Sequence, residues 1–112
     1  MDLSQYNILA VDDVPLNLLL IKKMLAKFNF QITTAANGAL AMEAVRAQRP
    51  DLILLDLLMP EMDGYEVLSE LRTGTAFRNI PVIVLTSEKS AEVKSLSLGA
   101  ADFLSKPYDL PE

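Results

Sequence analysis

An α/β domain built on a parallel sheet is the fold this sequence predicts, and three observations predict it. Five strand-like runs alternate with segments of helical periodicity along 112 residues. The runs NILAV, LILL and PVIVL are apolar at consecutive positions, as in strands covered on both faces. The strand candidates are separated by stretches long enough for helical crossovers, as parallel neighbours require.

The elements follow in order. Asn7–Val11 reads as a buried first strand. A helix is expected from Pro15 to Phe28, since proline suits a first helical turn. Leu16, Leu19, Leu20, Met24 and Phe28 form an apolar stripe at helical spacing there. Gln31–Ala36 is β-branched and strand-like, and Asn37 can cap a second helix running to about Gln48. Leu52–Leu55 is the third strand. Asp63 is a candidate cap for a helix from Gly64 to Arg72, and TGTAFRN then reads as a loop. Pro81–Leu85 is the fourth strand, Glu88–Leu98 a helix with Gly99 as its stop, and Asp102–Leu104 a short fifth strand.

Composition narrows the chemistry. A hydrophobic fraction of 51% excludes a disordered chain, and the length suits one domain with one core. The formal net charge of −5 argues against direct nucleic-acid contact. With no cysteine and no histidine, disulfides, thiolate chemistry, Cys/His zinc sites and histidine catalysis are excluded. The first residues, MDLSQYNILAVDD, lack a basic region and reach two aspartates after a short apolar run, so neither a signal peptide nor a membrane span is expected. A cytoplasmic setting is expected.

Parallel α/β sheets bind ligands at the carboxyl ends of their strands. Here the first strand ends in Asp12–Asp13, the third in Asp56 and the fourth in Thr86–Ser87, while Lys106 follows the fifth. The second strand ends in inert alanines, Ala35–Ala36. If these ends are neighbours, one edge gathers carboxylates, an ammonium and hydroxyls. Two carboxylates about 4 Å apart repel by roughly 4 kcal/mol at an effective dielectric near 20, so a cation should sit among them. Lys106 is one such cation, and a hard metal ion is another. A site of a few carboxylates and waters suits Mg²⁺, which commonly meets phosphate. Asp56, closing a buried run of leucines, is placed like a rigidly held nucleophile for a phosphoryl group. Taken singly, Asp12 and Asp13 could cap the first helix, Thr86 the fourth, and Phe103 could be plain core.

The motifs VDD (Val11–Asp13), LLDLLMPEMDG (Leu54–Gly64), VLTS (Val84–Ser87) and SKP (Ser105–Pro107) together resemble the receiver domain of two-component response regulators, in order and spacing over the whole chain. The resemblance implies a flavodoxin-like fold with five strands in the order 2-1-3-4-5. It implies Asp56 as phosphoacceptor, accepting from a histidine kinase or phosphotransfer protein. It implies Mg²⁺ held by Asp12, Asp13, Asp56 and the backbone carbonyl of Leu58, with Asp13 the direct ligand of the acidic pair and Asp12 acting largely through water. Thr86 and Lys106 would bind the phosphoryl group, and Phe103 would rotate with Thr86. Lys106–Pro107 is expected to be cis, and Gly64 and Pro60 to shape loop and helix start. Leu58 and Glu88 match positions that tune phosphoryl lifetime. An apolar Leu58 cannot orient an attacking water, which suggests slow hydrolysis.

A receiver normally carries a fifth helix. Asp109, Pro111 and Glu112 announce one through a capping-box pattern just as the sequence stops. Residues 1–112 are therefore expected to be the N-terminal receiver of a longer regulator with its final helix truncated. The face beside the first helix would then be bare and prone to self-association, making a homodimer a candidate assembly. Output would pass to an attached domain or a partner protein. Three other readings stay open at this point. One is a contact-only module of the same fold that is never phosphorylated, against which the full set of acidic, hydroxyl and lysine positions argues. Another is a Mg²⁺-dependent phosphatase, whose usual acid–base aspartate two residues past the nucleophile is replaced by Leu58. The third is a nucleotide or flavin binder, for which no glycine-rich loop follows the first strand.

Overall fold

The computed structural model describes residues 3–56, 64–73, 76–86, 100 and 102–105. Their order is β1 (Asn7–Val11), α1 (Pro15–Ala26), β2 (Gln31–Ala35), α2 (Gly38–Ala47), β3 (Leu52–Asp56), α3 (Gly64–Thr73), β4 (Val82–Thr86) and β5 (Asp102–Ser105). The strands form one sheet in the order β2-β1-β3-β4-β5, and each neighbouring pair is parallel. The segments expected at 57–63, 87–99 and 106–112, including the Asp63 cap, the helix from Glu88 with its Gly99 stop and the capping box at Asp109, lie outside the described residues.

Alternation along the strands divides the core in two, because successive side chains point to opposite faces. Leu9, Val11, Ile53, Leu55, Val82 and Val84 face α2 and α3, where Ala41, Met42, Val45, Val67, Leu68 and Leu71 complete the larger core. Ala10 and Leu85 face the other way and pack with Ile21 of α1, joined by the partly buried Leu18, Met24, Leu25, Leu54 and Ile83. Helices thus cover both faces, which is why the strands read as continuous apolar runs rather than alternating ones.

The local signals act where their chemistry says they should. Asn37 caps α2, its side-chain oxygen accepting from the Leu40 amide at 2.8 Å. Pro15 occupies the first turn of α1, with no side-chain cap at Val14. Beyond α1 the chain turns at Asn29, which has φ 62° and is a residue type that tolerates the left-handed region. The guanidinium of Arg72 in α3 donates to the carbonyls of Arg78 and Ile80, both at 2.9 Å, tying the loop before β4 to α3. Partial burial lowers the pKa of that guanidinium, which nevertheless stays charged at any physiological pH.

The apolar stripe read on α1 is largely outside: Leu16 is 61% exposed, and Leu19, Leu20 and Phe28 are also exposed, while Ile21 is the buried residue of the helix. Of the stripe, only Met24 packs against the core. The face that packs is Leu18–Ile21–Leu25, also at helical spacing. The helix is apolar nearly all round (PLNLLLIKKMLA), so several stripes satisfy the same period and the sequence does not choose between them.

Candidate functional site

Strand register brings the acidic positions together. Val11 is paired with Leu55, so Asp12 and Asp56 lie one step further along adjacent strands. Asp56 is the last residue of β3 and stands opposite Leu85 of β4, one step before Thr86. Thr86 is in turn paired with Ser105 of β5, and Phe103 with Val84. The strand ends singled out in the sequence therefore share the carboxyl edge of one sheet.

At that edge, Asp12, Asp13 and Asp56 each offer a carboxylate oxygen, and these oxygens lie within 4.8 Å of one another. Asp12 is 1% exposed and Asp56 4%, whereas Asp13 is the more open. Like charges at that separation repel by roughly 3–4 kcal/mol per pair at an effective dielectric near 20. Such a cluster is held in place only by the strands that carry it and by donors and cations brought to it.

Asp12 has identifiable donors. Its Oδ1 accepts from the Val14 amide at 2.9 Å and its Oδ2 from the Asn17 side-chain amide at 3.1 Å. Its own amide donates to the carbonyl of Ala35 at 3.1 Å, extending the β1–β2 ladder to the site. The donor set is all oxygen, two of its members are buried, and the oxygens are spaced closely enough to share one ion. This fits a small hard divalent cation such as Mg²⁺.

Of the remaining expected site residues, Gly64 is the buried first residue of α3. Thr86 and Phe103 are placed by backbone register alone. Leu58, Pro60, Glu88, Lys106 and Pro107 lie outside the described residues. Asn17 was not anticipated, although an amide side chain five residues after Asp12, within the first turn of a helix leaving the same strand end, was a usable signal. A second polar contact lies at the opposite pole: the Asn7 amide donates to Asp51 Oδ2 at 2.8 Å, and Thr33 Oγ1 donates to Asn7 Oδ1 at 3.1 Å. These bonds join the starts of β1, β2 and β3 and are structural.

An open parallel α/β sheet with an acidic, metal-compatible cluster at the carboxyl ends of its first and third strands defines a class of phosphate-handling domains. Comparison with known proteins makes this specific. The response regulator receiver domain family matches residues 8–112, and the chain belongs to that family. It is 41% identical over 112 residues to a probable cyclic di-GMP phosphodiesterase of Vibrio cholerae, covering 98% of this chain and 25% of that protein. It is 38% identical over 104 residues to the response regulator PleD of Caulobacter vibrioides, covering 91% and 23%. The receiver domain of the sensor histidine kinase PA1611 from Pseudomonas aeruginosa, solved with a magnesium ion coordinated in its active-site cleft, superposes with a TM-score of 0.83 at 34% identity, covering 92% of this chain and 86% of that one. The chain spans about a quarter of the length of each of these two curated relatives.

The domain is accordingly a phosphoacceptor module of two-component signalling, a family whose members bind Mg²⁺ in the active site and interact with histidine kinases and phosphotransfer proteins. No helix among the described residues is long and apolar enough to cross a membrane.

Proposed function

We propose that this chain accepts a phosphoryl group on Asp56 from a histidine kinase or phosphotransfer protein and passes the signal to an output domain or partner by changing conformation. The observation that carries the reading is the meeting of Asp12, Asp13 and Asp56 at one strand edge, two of them buried. A carboxylate oxygen of Asp56 attacks the phosphorus of the donor's phosphohistidine. An O–P bond forms as the N–P bond breaks, and the imidazole leaves with the electron pair and takes a proton. β3 holds Asp56 in line for this attack, because its neighbours on both sides fix the strand. Asp13 would present a direct ligand oxygen, Asp12 would act largely through water, and Asp56 and the Leu58 carbonyl would complete the protein ligands of a bound Mg²⁺. Bound Mg²⁺ supplies positive charge that offsets the carboxylates and the charge developing on the transferring oxygens.

The product adds roughly −1.5 to −2 charges and new acceptor oxygens at the edge. Thr86 and Lys106 bond these oxygens, and the change spreads to Phe103 on the neighbouring strand. The phosphoryl group shifts the population toward the state in which those contacts are made. The cis Lys106–Pro107 bond belongs to the same reading. So do a cytoplasmic setting and the assignment of 1–112 as one receiver domain of a longer regulator, the latter supported by the greater length of the relatives. The domain itself is a signalling acceptor rather than an enzyme. The exposed leucines of α1 support self-association or a partner on that face.

The test is phosphorylation by a small phosphoramidate with Mg²⁺, read by hydroxylamine-labile label and by amide NMR. The label should form together with shifts along β4 and β5. Thr86→Ala should retain the label and lose most of the shifts. Label without any movement of β4 and β5 would overturn the switch.

A further inference from the structure

We infer that Asn17 is a positioning residue for the metal: its side-chain amide, 3.1 Å from Asp12 Oδ2, holds Asp12 in the orientation from which it serves the cation. This rests on the Mg²⁺ reading given above. Asp12 is gripped at both oxygens from the α1 side, by the Val14 amide at Oδ1 and by Asn17 at Oδ2. Asn17 is itself fixed by the same turn, since its backbone amide donates to the Val14 carbonyl at 3.0 Å. The turn that seats Asp12 therefore also seats its second donor, and neither can shift without the other.

The residue type matters. A carboxylate only accepts, so Asn17 must present its N–H₂ end to Asp12. A carboxylate oxygen can accept more than one hydrogen bond, so these two donors position Asp12 without using up its acceptor capacity. An aspartate at 17 would add a fourth carboxylate to the cluster, a lysine would bring a cation that competes with the metal, and a leucine would withdraw the donor. An amide alone among these fixes the carboxylate without changing the charge that attracts the ion. Partners that orient a metal-site carboxylate in this way are typically worth 10–100-fold in metal affinity.

The experiment measures divalent-cation affinity of the unphosphorylated chain, by Mg²⁺ calorimetry and by Mn²⁺ electron paramagnetic resonance, so that the readout does not depend on phosphotransfer. Asn17→Leu should weaken binding at least tenfold. Asn17→Ser, which keeps a donor on a shorter arm and suits a first helical turn, should fall between it and the unsubstituted chain. Val45→Ala, on the opposite face of the sheet, lowers the melting temperature and should leave affinity within twofold. Affinity of Asn17→Leu within twofold of the parent would overturn the inference. So would a loss in Val45→Ala equal to that in Asn17→Leu, since binding would then follow global stability. If the unsubstituted chain binds neither ion, the metal reading itself fails and the inference falls with it, an outcome distinct from the other two.

Discussion

Replacing Asp13 by asparagine should stabilise the protein when no divalent ion is present and remove most of the stabilisation that Mg²⁺ gives. Asp13 contributes one of three carboxylate oxygens lying within 4.8 Å of one another, so its removal relieves two repulsive pairs. At 4.8 Å a pair costs roughly 0.9 kcal/mol in bulk water and roughly 3.5 kcal/mol at an effective dielectric of 20. Asp13 is the most open of the three, which places its pairs nearer the water limit. The gross relief is then about 2 kcal/mol, and the net gain about 1–2 kcal/mol. For a domain of this size that raises the melting temperature by about 4–8 °C.

With Mg²⁺ at about a hundred times its dissociation constant, the parent gains about 2.7 kcal/mol and the variant much less. The order of stability should therefore cross over between chelator and excess Mg²⁺. Urea denaturation at pH 7 in each condition measures both values. A variant less stable than the parent in chelator, or one gaining as much from Mg²⁺, would refute the picture of a charge cluster awaiting a cation.

Four further substitutions test the architecture by equilibrium unfolding. Asn37→Ala removes the acceptor of the Leu40 amide and should cost about 1 kcal/mol. Ile21→Ala should cost about 2–4 kcal/mol, whereas Leu19→Ala on the same helix should stay within about 0.5 kcal/mol; equal losses would mean the buried face of α1 is misplaced. Arg46→Ala breaks an exposed 3.2 Å ion pair with Glu70 and should change stability by less than about 0.5 kcal/mol.

What the sequence made legible follows from how constrained each position is. Strands buried on both faces tolerate little but apolar residues, so β1, β3 and β4 are placed to within a residue, and an aspartate closing such a run stands out. The parallel order turns separate strand ends into one edge, which is why Asp12, Asp13 and Asp56 can be grouped from the sequence alone. The cap at Asn37 was readable because its chemistry is local. The buried face of α1 was not, because a helix with apolar residues on every side carries no periodic contrast. Asn29 was missed as the turn after α1, since glycine is the more familiar left-handed residue. Asn17 was missed because its role depends on a side-chain contact across a turn, which spacing suggests only once Asp12 is known to face it.

The most direct test of the central claim is intact mass after incubation with Mg²⁺ and acetyl phosphate, beside Asp56→Asn and a chelator control. The account predicts the gain of one phosphoryl group in the parent and none in either control. Folded parent protein that gains no mass, or an Asp56→Asn variant that gains it equally, would contradict the assignment of Asp56 as the phosphoacceptor.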